Sequence, residues 1–270
     1  MRQERAPNKI RMLDSGLERT YGLKPQLEEL IRTWLEILDE ARVEYAVGGA
    51  YAFHAHTGIW RSTKDFDVFI VPEHVKKALD ALRGAYYNAD IRDPSWLAKA
   101  ETSDYLLDLI FGFRHRQIRI DREWFEHSTR AELMGIETRI LSIEQMIVSK
   151  AFIGFRDRFD GADIAHLIRE SKGKLDWDLM LTWLGSDSEI LLWHLVFFRF
   201  VYPGHAEYVP SDLLRRLLDR LEASATPENA RSFRGLLVDA TAFLVDSVDF
   251  GYEGYPRGRP LVDRKGKLIR

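Results

Sequence analysis

The densest chemistry in the chain lies between Tyr45 and Val71, YAVGGAYAFHAHTGIWRSTKDFDVFIV, where two adjacent glycines precede, by sixteen positions, carboxylates at Asp65 and Asp67. Alternation along a strand puts Asp65 and Asp67 on one face and Phe66, Val68 and Ile70 on the other, which belongs to the core. Two like charges on one sheet face repel unless water or a cation sits between them. A divalent cation, Mg2+ or Mn2+, answers that need with oxygen ligands and leaves room for substrate phosphates. Asp108, in the apolar run YLLDLIF, could add a third carboxylate from a neighbouring strand. Three such acids would hold one or two metal ions and clamp an in-line phosphoryl or nucleotidyl displacement. Asp104 competes for that third position, but it stands where the strand begins and a turn or cap residue is expected.

Gly48 and Gly49 fit the same chemistry. Glycine lets backbone approach an anion closely, and a helix beginning at about Ala50 would direct its free amides and positive dipole end toward the turn. A nucleoside triphosphate could rest there, with metal on the carboxylates. Arg61, Thr63 and Lys64, just ahead of the carboxylate strand, read equally as phosphate or acceptor contacts and as solvated loop residues. His54 and His56 are two apart on a short helix, point in different directions, and make a poor chelating pair.

The elements that must position these groups can be read from periodicity. After a polar leader of about twenty residues, Pro25 opens an amphipathic helix with Leu27, Leu30, Ile31, Leu35 and Leu38 at helical spacing. Short strands are expected at Val43–Val47, over DFDVFIV and over Ser103–Gly112, with a hairpin at Ala131–Leu141 and a helix over EHVKKALDALRGAYY. Strand content ends there. From Ser142, a helix cap, the pattern is helical through 232–248, with Asp160 and Asp163 read as caps of the helix over FDGADIAHLIRES. The reading is α+β: a mixed sheet with flanking helices over residues 1–141, followed by an all-helical lobe with a basic tail over 142–270.

Composition narrows the function. With 39 Lys and Arg against 42 Asp and Glu, the chain has a net charge of −3 and no global basic field. Basic residues cluster only locally, at Arg114, Arg116, Arg119 and Arg122 and again in the tail from Arg257 to Arg270. The first cluster follows Asp108 closely enough to face an acceptor at the site. The chain contains no cysteine, which removes disulfides and thiolate chemistry and suits a cytoplasmic setting. The N-terminal segment lacks the apolar core of a signal peptide. The most apolar run, Ile190–Tyr202, is interrupted by His194 and Arg199 and is too short for a membrane span.

The stretch from VGGAYAFHAHTG to DFDVFIV, followed by Asp108, resembles the nucleotidyltransferase superfamily related to DNA polymerase beta. The interval between Gly49 and Asp65 is longer than the usual form of that motif. LSIEQMIVSKAFIGFRDRFDGADIAHLI is similar to the helical segment after the core in minimal nucleotidyltransferases and AbiEii-type toxin proteins, with Lys150 in the lysine position. This resemblance implies transfer of NMP from an NTP, taken as ATP, to an acceptor hydroxyl with release of pyrophosphate. It further implies metal ligation by Asp65, Asp67 and Asp108, base catalysis by Asp108, and a phosphate contact from Lys150, which otherwise reads as a snorkelling surface residue. The acceptor implied is RNA, such as tRNA, or protein in a toxin–antitoxin setting, ahead of a small molecule of the antibiotic type. A catalytically silent nucleotide- or partner-binding module is the alternative from another class.

Overall fold

The computed structural model describes residues 9–113, 118–225, 232–254, 261–262 and 268–269. The chain divides into two compact units, Met1–Met146 and Ile147–Arg270.

The first unit is built on a nine-stranded mixed sheet. Its strands are β1 (Lys9–Met12), β2 (Glu18–Thr20), β3 (Tyr45–Val47), β4 (Asp65–Ile70), β5 (Asn88–Asp93), β6 (Leu97–Glu101), β7 (Leu106–Ile110), β8 (Thr129–Leu133) and β9 (Ile136–Ile140). Their spatial order is β2-β1-β8-β9-β3-β4-β7-β6-β5. The β3–β9 and β4–β7 pairs are parallel, and the other neighbours run antiparallel. The helices are α1 (Pro25–Glu40), α2 (Gly49–Thr57), α3 (Val75–Gly84) and the short α4 (Arg122–Glu126). Helix α1 starts with Pro25 in its first turn and buries Leu27, Ile31, Trp34, Leu35 and Leu38 at the spacing of one helical face. Trp34 lies against Phe66 of β4, with ring centroids 6.4 Å apart, and Tyr51 of α2 meets the same ring edge-on at 5.0 Å. The core face of β4 is thus clamped by two helices.

Two expectations about this unit change. The polar leader carries strands: Lys9–Met12 and Glu18–Thr20 form a hairpin whose first strand pairs with β8, and Ile10 is fully buried. Its alternation of inward Ile10 and Met12 with outward Lys9 and Arg11 covers only four residues, too few to outweigh the charged composition. Residues 88–101 carry the hairpin β5–β6 where no strand was anticipated. In LAKAE the buried positions on the core side of the alternation, Ala98 and Ala100, are small alanines, so the apolar side is inconspicuous even though Leu97 is also buried.

Helix α5 (Ile143–Lys150) spans the division between the units. It opens on a reciprocal capping box: the Ser142 amide donates to Gln145 Oε1 (2.8 Å), and the Gln145 amide donates to Ser142 Oγ (3.2 Å). The second unit continues with α6 (Gly161–Ser171), α7 (Trp177–Leu184), α8 (Glu189–Val201) and α9 (Ser211–Ser224). His194 of α8 is fully buried and donates from Nε2 to the Ala151 carbonyl (2.7 Å). The helical reading holds for the body of this lobe. The segment expected as one helix over 232–248 is instead two short helices, Gly235–Val238 and Leu244–Val248. Residues 154–155 with 158–159, 232–233 with 253–254, and 261–262 with 268–269 form two-residue strand pairs. Among the described residues, no helix is long and apolar enough to cross a membrane.

The placement of β1 in the sheet carries a direct test. Ile10→Ala should lower unfolding stability by about 2–5 kcal/mol in urea titration, the cost of truncating a buried aliphatic side chain; a surface leader would give a change near zero.

Candidate active site

Strand β4 presents Asp65 and Asp67 half-buried while Phe66, Val68 and Ile70 are buried, as alternation requires. In the parallel β4–β7 ladder, Asp67 stands directly opposite Asp108, and Asp65 opposite Leu106. All three carboxylates therefore share one sheet face, with Asp67 and Asp108 on adjacent strands about 4.8 Å apart. Asp104 is exposed in the turn ahead of β7, where Thr102 Oγ1 accepts from the Tyr105 amide (3.0 Å). Asp108, not Asp104, is the acid that the fold brings to the pair.

The Gly-Gly turn positions one of these acids. Gly48 donates its amide to the Asp67 carbonyl (2.9 Å), and a side chain at Gly48 would strike the Phe69 ring. Gly49 is the first residue of α2 and has φ +53°. A Cβ there would lie 1.8 Å from Asp67 Oδ2. The carboxylate thus packs against the backbone at the start of the helix, where the dipole favours its charge. Gly58, in a left-handed conformation, ends α2 after nine residues with its amide donating to the His54 carbonyl (2.8 Å). The histidines are structural. His54 is buried with Nε2 on the Thr20 carbonyl (3.1 Å), and His56 Nε2 is on the Leu141 carbonyl (2.7 Å). Burial lowers both pKa values, which keeps the rings neutral.

Sequence reasoning missed Lys99. It lies on β6 opposite Asp108 in the β6–β7 register, and its Nζ contacts both Asp108 oxygens, at 2.7 and 3.0 Å. Asp67, Asp108, Lys99 and Asp90 consequently form one row across four strands. Burial raises the Asp108 pKa, Lys99 pulls it back, and the charge of Asp65 pushes it up again. Tyr51 is also beside the acids: burial and then the Asp67 charge drive its hydroxyl pKa upward. Among the described residues, no three His, Asp or Glu side chains stand ready to hold a metal ion as they are packed. The donor chemistry of Asp65 and Asp67 fits a hard divalent cation, whereas both oxygens of Asp108 are engaged by an ammonium.

The remaining expected residues separate into groups. Thr63 Oγ1 accepts from the Asp65 amide (3.0 Å) and braces the start of the carboxylate strand. The Lys64 carbonyl accepts from the Leu106 amide (3.0 Å), extending the β4–β7 ladder, and its side chain is exposed. Arg61 is exposed with its guanidinium over the Phe53 ring, 5.0 Å from the centroid. Lys150 is not a snorkelling lysine: its Nζ is 2.6 Å from Asp160 Oδ2 and 3.0 Å from Asp163 Oδ2, all three side chains being nearly buried. Asp160 stands at the N-terminal cap of α6 but makes no capping bond, because its oxygens are taken by Lys150 and by Arg158. A phosphate on Lys150 would have to displace two carboxylates. Of the basic cluster after Asp108, Arg114 and Arg116 lie outside the described residues, as do Arg257, Arg259, Arg264, Lys265, Lys267 and Arg270 of the tail. Arg122 is exposed, 3.9 Å from Glu44, and helps line a pocket of about 420 Å³ with Val71, Glu73, His74, Asp121 and Glu123. Val71, just past the end of β4, is six residues from Asp65, roughly 20 Å away. Arg122 therefore belongs to the opposite end of the strand from the carboxylates, and proximity in sequence to Asp108 misled.

Residues 27–185 match the family described as nucleotidyl transferase of unknown function (DUF2204), and the chain belongs to that family. It is a nucleotidyltransferase of α+β fold. No protein of curated function matches it by sequence. Among solved structures, it is similar to the antibiotic-resistance factor ANT(2'')-Ia, at 18% identity and TM-score 0.43, covering 69% of this chain and 99% of that one. It is also similar to the lincomycin-bound lincosamide antibiotic adenylyltransferase LnuA, at 15% identity and TM-score 0.36, covering 54% and 98% of the two chains. An antigenic nucleotidyltransferase-like protein from Paracoccidioides brasiliensis matches at 16% identity and TM-score 0.48, covering 74% and 94%.

Two substitutions test this geometry. Gly49→Ala should cost about 1–3 kcal/mol in urea titration, for a positive φ and displacement of the Asp67 carboxylate. Asp160 tests the cluster in the second unit. Burial opposes its ionisation, but Arg158 and Lys150 bring its pKa below the ordinary carboxylate value. A depressed folded pKa contributes stability above the unfolded value of about 3.9, and that contribution is lost as pH falls through the folded one. Asp160→Asn should be less stable than wild type at pH 7, and the gap should close below about pH 4; a gap independent of pH in thermal melts would contradict the ion pairing.

Proposed function

We propose that this nucleotidyltransferase transfers NMP from a nucleoside triphosphate, taken as ATP, to an acceptor hydroxyl. The single observation that carries the reading is the convergence of Asp65, Asp67 and Asp108 on one face of β4 and β7, with Asp67 against the Gly49 backbone. Asp65 and Asp67 would hold a divalent cation, Mg2+ or Mn2+. Such an ion supplies neutralising charge for the triphosphate and the leaving pyrophosphate. Asp108 accepts the proton of the acceptor hydroxyl, whose oxygen then attacks the α-phosphorus. The bond from that phosphorus to the bridging oxygen breaks, and pyrophosphate leaves with the electron pair. Gly48 and Gly49 let the phosphates approach the amide end of α2, whose dipole favours negative charge. Arg61 and Lys64, both exposed ahead of β4, would supply positive charge to the phosphates.

Acceptor classes divide into RNA or protein, as in toxin-like enzymes, and small hydroxylated molecules. The test is incubation with α-labelled ATP, CTP, GTP and UTP against total RNA, lysate protein and a panel of hydroxylated small molecules. Label on the 3′ end of tRNA, with binding that weakens steeply in salt, identifies the RNA-modifying reading. Label confined to a small molecule overturns it. For the metal, NTP should raise Tm only with Mg2+ or Mn2+ present, since ligand binding to the folded state adds stability with occupancy. Asp65→Asn/Asp67→Asn should abolish that shift and reduce transfer at least 100-fold while the protein remains folded; NTP binding and turnover at wild-type level in the double variant would sink the assignment.

A further inference from the structure

Removing Lys99 in thought exposes what it does. Asp108 would then face Asp67 in register and Asp65 diagonally, three acids on one sheet face. Lys99 meets Asp108 with both carboxylate oxygens in hydrogen-bond range, and the two side chains are only 22% and 13% exposed. Neighbouring acids do not compete for the ammonium. Asp90, its register partner on β5, is paired with Arg83 (3.3 Å), and Glu101, on its own strand, is paired with Arg92. Lys99 is therefore committed to Asp108 by register, by distance and by the occupation of its alternatives.

We infer that Lys99 fills the place of a second divalent cation, so that this site takes one metal ion, on Asp65 and Asp67, and keeps Asp108 for the proton. An ammonium fixed by a strand delivers one positive charge at a constant position, whereas a second ion would have to displace it from both Asp108 oxygens. Lys99 acts through Asp108 and is a positioning residue. The inference rests on the proposed binding of a divalent cation by Asp65 and Asp67.

The test counts Mn2+ bound per chain, by electron paramagnetic resonance of free ion at equilibrium, with Mn2+ alone as the probe. Wild type and Lys99→Arg should bind one ion; Lys99→Met, which frees Asp108, should bind two, and its melting temperature should rise on Mn2+ addition more than that of wild type. Asp108→Asn, which keeps the shape of the side chain, should retain one ion with affinity within about twofold of wild type. Two ions in wild type, one in Lys99→Met, or a tenfold loss of affinity in Asp108→Asn would overturn the inference while leaving the metal site standing. No ion in any variant would overturn the metal reading itself, and the inference with it.

Discussion

Crowding of negative charge across two adjacent strands is the constraint around which the first unit is arranged. At a separation near 5 Å and an effective dielectric of about 20, two carboxylates repel by roughly 3 kcal/mol. The sheet answers from two sides. Gly49, with no Cβ, lets Asp67 settle against the start of a helix, and Lys99 caps Asp108 from the far strand. On the opposite face, Phe66 is fixed between Trp34 and Tyr51, so the carboxylate strand cannot slip by one residue without turning its acids inward.

Several features of this arrangement were legible in the sequence. Asp65 and Asp67 announce their common face through the apolar residues between them, and Gly48–Gly49 announce a close approach. The Ser142 cap was readable because hydroxyl and apolar run stand in fixed order. Lys99 was not, since its contact depends on the register of β6 against β7, and the alanines flanking it carry little hydrophobic signal. Lys150 illustrates a different limit. Its helix could be read from periodicity, but its ion pairs with Asp160 and Asp163 are set by how the loop over 151–160 returns to it. Arg122 shows the same limit with the opposite result: a short distance along the chain from Asp108 became most of a strand's length in space.

Charges on the β4–β7–β6–β5 face are ordered by strand instead of scattered. Asp67 and Asp108 lie in one row with Lys99 and Asp90, and the pairs Arg92–Glu101 and Arg83–Asp90 flank it. Each basic residue has an acidic partner close by, so the face is polar without being a basic field. Among the described residues of this face, the exposed basic side chains Arg61 and Lys64 stand just ahead of β4.

The pairing of β1 with β8 has a consequence in time. Arg11 and Glu132, joined by a salt bridge, are 121 positions apart in the chain. A ribosome adding about 5–20 residues per second would take on the order of ten seconds to supply the partner strand after the first hairpin has emerged. Throughout that interval one edge of the hairpin offers its amides and carbonyls to any strand nearby, including that of another nascent chain. Lys9 is already paired with Glu18 inside the hairpin, whereas Arg11 keeps its positive charge on the waiting strand until Glu132 arrives with β8. A basic charge on an unpaired edge disfavours its pairing with an identical strand, so Arg11 acts against misassociation before it contributes to the folded protein.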